Sequence, residues 1–177
     1  KVLVNVPTGL GRFQRPTTLA LCKGEVVTRY SPDNIKSSSA LELVRKWPER
    51  YWGPHGPSEN AAASKLVDQL MILGCDDIQV IKIDDWCVVG AEKDWVSSVL
   101  IESTLEQLFT SIILFKENKY LNSMRTEILI YDFAKDVALL RGGQIIEIKG
   151  NCEDIDVNSI SNILNGTALF YRGSSYA

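Results

Sequence analysis

His55 is the only side chain in this sequence whose unperturbed pKa lies near neutrality. A general base also needs a group to orient it and a proton within hydrogen-bond reach, and Glu49 and Glu59 stand close enough in sequence to orient His55. No Gly-x-Ser-x-Gly elbow and no reactive-cysteine motif accompanies it. One reading is therefore an enzyme of unrecognised family that uses His55 with an Asp or Glu as its acid–base pair. Asp76-Asp77 and Asp84-Asp85 bracket a run that reads as a strand. Paired carboxylates can hold Mg²⁺. Adjacent strand residues point to opposite faces, however, so each pair could lend only one carboxylate to a shared site. Asp at element ends is first of all turn chemistry. A metal nuclease would also need cations to hold phosphate, and Lys82 and Lys93 are the only ones from Asp68 to Glu106.

Other chemistries are less supported. Gly9-Leu-Gly11 follows a strand-like run but lacks the third glycine and the helix of a dinucleotide loop, and no Gly-Lys-Ser/Thr is present. Cys22, Cys75, Cys87 and Cys152 are scattered, with no Cys-x-x-Cys or Cys/His cluster, so neither zinc nor a disulfide framework is expected. Tyr131, Phe133, Phe170 and Tyr171 have too few neighbouring cations for a nucleic-acid stacking platform and are expected in the core. The expectation is that the chain needs no cofactor and no metal.

The most distinctive stretch is Trp47-Pro-Glu-Arg-Tyr-Trp-Gly-Pro-His-Gly-Pro57, with two of the four tryptophans, the one histidine and three of the six prolines. Proline fixes φ and removes a backbone donor, so this stretch reads as a stiff aromatic loop. Such a loop either plugs one end of the core or presents a recognition surface.

The elements around these residues follow from their periodicity. Ser39-x-x-Glu42 is a capping box opening a short helix that Pro48 should stop. Ser58 caps a longer one, with Ala62, Leu66, Leu70 and Leu73 on one face and Gly74 ending it. Ile78–Ile83 and Trp86–Ala91 form a strand pair about Asp84-Asp85, while Trp95–Ile101 fits strand or helix. Ser103-x-x-Glu106 reads as a second capping box, with a helix running on through Ile112 and Ile113. Lys116–Arg125 reads as a polar loop, and Glu127–Phe133, Val137–Arg141 and Gln144–Lys149 as a meander with a turn at Gly142-Gly143. A helix capped by Asp154 or Asp156 and a closing strand Thr167–Arg172 complete the chain. Upstream, Lys1–Val6 is strand-like, and Thr18–Lys23 and Glu25–Tyr30 suggest a hairpin. The sum is one α+β domain over residues 1–177, a largely antiparallel sheet with about four helices packed on it.

Composition narrows function. With 45% hydrophobic and 23% charged residues, the 177-residue chain is that of a folded globular protein. No apolar run approaches the ~18–20 residues of a membrane span, and no leader follows Lys1. The net charge of −3 is uneven: residues 1–67 carry +5, 68–106 carry −7 and 107–177 carry −1. A pI near 5.3 disfavours nucleic acid, and the acidic middle suits a basic protein partner. These features describe a cytoplasmic, non-enzymatic protein-binding module. By analogy of class, it would be an immunity or antitoxin protein, an inhibitor that occludes a basic, nuclease-like toxin. The expected contact residues are Arg50, Tyr51, Trp52 and His55, as aromatic anchors and neighbours, with Asp76, Asp77, Asp84 and Asp85. A structural or adaptor subunit of a larger assembly, including a homo-oligomer, is the remaining reading.

Overall fold

The structure, a computed structural model, describes residues 37–115, 123–156 and 166–175. The chain divides into two compact units at Lys36/Ser37, and every element below belongs to the second. The expected strand Lys1–Val6, the hairpin of residues 18–30, Cys22 and the helix after Asp156 lie outside the described residues.

The fold is α+β. Helices α1 (Ala40–Lys46), α2 (Pro48–Trp52) and α3 (Glu59–Ile72) lead into strands β1 (Ile78–Ile83) and β2 (Trp86–Ala91). Helices α4 (Ser97–Leu100), α5 (Leu105–Thr110) and α6 (Glu127–Phe133) follow, then β3 (Asp136–Arg141), β4 (Gln144–Lys149) and β5 (Thr167–Arg172). The sheet runs β1-β2-β5-β3-β4 with every pair antiparallel. The last strand therefore lies in the middle and joins the hairpin β1–β2 to the hairpin β3–β4.

Alternation along the central strands separates two apolar clusters. Cys87, Val89, Leu139, Leu169 and Tyr171 face the helices, where they meet Val44, Leu66, Leu70, Phe109 and Ile130. Trp86, Val88, Ala138, Leu140 and Phe170 form a second cluster with Cys152 on the other face. Phe133, Phe170 and Tyr171 are buried, as expected, while Tyr131 is only partly buried against the core.

Capping sets the helix starts. Ser39 and Glu42 form the expected box, and Ser58 accepts from the Ala61 N–H to open α3. The second box sits one residue later than expected, at Thr104 and Gln107. Both Ser103-x-x-Glu106 and Thr104-x-x-Gln107 satisfy the motif, and the structure selects the later one. The helix then ends at Thr110, so Ile112 and Ile113 lie beyond it. Within the Trp95–Ile101 run, Ser97–Leu100 makes a single helical turn, with Asp94 accepting from the Val96 and Ser97 N–H groups.

Two expectations are corrected. Pro48 ends α1 but begins α2, because a proline at the first helical position lacks only an N–H that would have no helical partner anyway. Part of the stretch expected to be a loop is therefore helical. Glu127–Phe133 is a helix, not a strand. Its run Ile128-Leu129-Ile130 is buried throughout, and so short and nearly buried a helix has no apolar period to distinguish it from a strand. Cations hold the helix ends: the Lys149 ammonium donates to the Tyr131 and Ala134 carbonyls at the end of α6, and Lys93 to the carbonyl of Leu73, which caps α3.

Candidate functional site

Three places hold the residues singled out above. At the first, α2 turns Trp52 inward, where only 5% of it is exposed and its ring lies 5.7 Å from that of Phe133. Trp52 is thus a core plug, and its expectation as an exposed interface anchor is corrected. Its indole N–H is buried without a hydrogen-bond partner among the described residues. His55 is exposed after the helix, and no orienting carboxylate reaches it among the described residues. Arg50 stays on the surface with its guanidinium 4.9 Å from the Trp47 ring centroid, while the Lys46 ammonium sits 4.8 Å from that centroid.

Arg50 and Tyr51 also line the second place, an open groove of about 360 Å³. Its other wall is a stripe of α3, Lys65, Asp68, Gln69 and Ile72, at i, i+3, i+4 and i+7. This stripe is distinct from the Ala62, Leu66 and Leu70 face that enters the core. Met124, Thr126 and Leu129 form the groove's apolar and hydroxyl floor. Behind it lies a buried polar network. The Arg125 guanidinium donates to the Glu127 carboxylate at 2.5 Å, with 3% and 0% of the two side chains exposed. The Gln69 amide N–H donates to Glu127 at 2.8 Å, and its carbonyl oxygen accepts from the Thr126 N–H and hydroxyl. Arg125 is therefore a core residue, not part of the expected polar loop. The sequence reading missed this network, although a glutamine within the apolar rows of α3 was a signal that a buried polar partner was required.

The third place is the β1–β2 hairpin. Asp76 and Asp77 precede β1 and Asp84-Asp85 form the two-residue turn, so the pairs stand at opposite ends of the strand, ~20 Å apart at strand rise. All four carboxylates are exposed, and none has a hydrogen bond or ion pair among the described residues. Asp84 adopts φ 51°, a left-handed conformation that Asp tolerates better than most residues. β1 is the outermost described strand on this side, and Val80 on it is 49% exposed. Lys82 is engaged by Glu59 at 3.0 Å, which raises its pKa chiefly through that hydrogen bond. None of the four aspartates lines the groove, so the expected contact residues do not form one patch.

Several other charges are committed to the fold. Arg172 donates to Asp136 at 2.8 Å and also to Asp154, and stacks over the Trp86 ring at 4.3 Å. Burial pushes the Asp136 carboxyl up, but its bonds to Arg172 and the Asn151 N–H outweigh this and hold its pKa below the usual range. Asp154 is thus a partner of Arg172, whatever its part in the expected cap. Arg45 reaches the buried carboxylate of Asp132 at 2.6 Å. Cys75, Cys87 and Cys152 are buried free thiols, and burial raises all three, Cys152 to about 11. Among the described residues no group of three or more His, Cys, Asp or Glu could hold a metal, and no helix is long and apolar enough to cross a membrane.

No family model matches the chain, and no curated protein matches its sequence.

Proposed function

We propose that this α+β domain is a non-enzymatic protein-binding module that receives a basic partner along the β1–β2 hairpin. One observation carries the reading: four exposed carboxylates with no hydrogen bond or ion pair among the described residues flank the two ends of an outer strand, whereas Asp94, Asp136 and Asp154 are each bonded to an arginine. Unpaired surface carboxylates raise the local negative potential and speed the approach of a cationic protein. The outer edge of β1 offers backbone donors and acceptors to an extended segment, with half-exposed Val80 as an apolar contact. The more specific form of the proposal is an immunity-type inhibitor that occludes a basic, nuclease-like toxin in the cytoplasm, supported by size and charge distribution alone. No carboxylate orients His55 among the described residues, so the acid–base alternative gains no geometric support from them.

The test is a photo-crosslinking amino acid at Gln79, on the exposed side of β1, in the native host, with a control at exposed Glu153. The expected product is one basic protein captured from position 79 and lost when all four aspartates become asparagine. Capture of an acidic protein, or equal capture from both positions, would overturn the reading.

A further inference from the structure

The groove between α2 and α3 has a chemistry that the hairpin proposal does not use. At about 360 Å³ it falls within the ~300–1,000 Å³ range of small-ligand sites. Its polar rim is rich in donors. The Lys65 ammonium and Tyr51 hydroxyl have no bonded partner among the described residues, and Arg50 is engaged only through its stack on Trp47. Among the described residues, Asp68 is the single carboxylate lining the groove. The stack restrains the Arg50 side chain before anything binds, which lowers the ordering cost of binding.

Deeper in, Gln69 is only 2% exposed and is fixed by its bonds to Glu127 and Thr126. One of its two amide hydrogens is used on Glu127. Ile72, Met124 and Leu129 supply an apolar surface beside it. Two cations against one carboxylate, over an apolar floor, match one kind of ligand: a small molecule with an anionic head and an apolar body. A cationic head would face Arg50 and Lys65 at close range, and a neutral one would leave them unpaired.

We propose that this groove binds a small anionic amphiphile, its carboxylate or phosphate head between Arg50 and Lys65 and its apolar body against Ile72, Met124 and Leu129. The site is independent of the partner surface on the hairpin.

The experiment uses the full chain with methyl-labelled Ile, Leu and Met, titrated with octanoate, octyl phosphate, octanol and octylamine. At least one anion should give saturable shifts at Ile72, Met124 and Leu129, and whichever anion binds identifies the head. Octanol should bind about tenfold more weakly and octylamine not at all. Arg50→Ala with Lys65→Ala should weaken the anion about tenfold or more while unrelated methyl signals stay in place. Asp68→Asn should tighten it about two- to threefold, an opposite sign that a damaged fold would not produce. Neither anion binding, equal binding of octanol or octylamine, or an unchanged affinity in the double variant would each overturn the proposal.

Discussion

The helical layer and the β1–β2 hairpin treat charge in opposite ways. Under the helices, Arg125, Glu127 and Asp132 are buried, and each is tied to a counter-charge or an amide. On the hairpin, Asp76, Asp77, Asp84 and Asp85 are exposed to water and make no hydrogen bond or ion pair among the described residues. A buried ion pair is costly to break and contributes no attraction at a distance, whereas exposed carboxylates add little to stability and much to the external field. Charge thus maintains the fold in one region and stands exposed to water in the other, where the proposed partner would meet it, and substitutions should separate the two.

The largest effects belong to the helical layer. Glu127→Ala strands the Arg125 guanidinium in the core and should cost about 3–5 kcal/mol in chemical denaturation. Trp52→Ala should cost a similar ~3–5 kcal/mol, since it empties the space against Phe133. Trp52→Phe should lose much less, because it keeps much of the ring's bulk and removes an indole N–H that has no partner. A Trp52→Ala protein as stable as wild type would return this residue to the surface and blur the contrast.

A smaller effect tests the charges that close the sheet. Asp136 titrates below its ordinary value in the folded state, so its contribution is complete above the unfolded pKa near 4 and lost as pH falls through the lowered folded value. Asp136→Asn should cost about 1–3 kcal/mol at pH 7 and flatten the fall in stability below pH 4. A thermal melt series from pH 7 to pH 2 measures both, and an unchanged acid slope would remove Asp136 from the account. The thiols give a qualitative companion test. Cys75, Cys87 and Cys152 are buried with raised pKa values, so iodoacetamide at pH 8 should label them only after unfolding, as read by peptide mass spectrometry.

The sequence made this contrast only partly legible. Elements with a clear period or cap were readable from it: the Ala62–Leu70 face of α3, the Ser39 box, and the hairpins about Asp84-Asp85 and Gly142-Gly143. Helix α6 was not, because Ile128-Leu129-Ile130 has neither alternation nor an exposed face. The buried network was hidden for a related reason, since Gln69, Arg125 and Glu127 are distant in sequence or set in polar surroundings that resemble a surface loop. Trp52 illustrates the same limit. Its composition suits an interface or a plug equally, and only the packing against Phe133 decides. The hairpin aspartates were legible as turn residues, but their lack of partners is a property of the folded chain.

On the hairpin, the four Asp→Asn changes should leave stability within about 0.5 kcal/mol of wild type. Asn is the suitable replacement because it also tolerates the left-handed conformation of Asp84. The most direct test of the account is the association rate of the captured partner with wild-type and with Asp76→Asn/Asp77→Asn/Asp84→Asn/Asp85→Asn protein, measured by stopped flow across a salt series. The account predicts a rate for the variant about tenfold or more lower at low salt, a nearly flat dependence on ionic strength, and an unchanged melting temperature. Equal rates with equal salt dependence would mean that the hairpin carboxylates do not steer a partner, and would contradict the central claim.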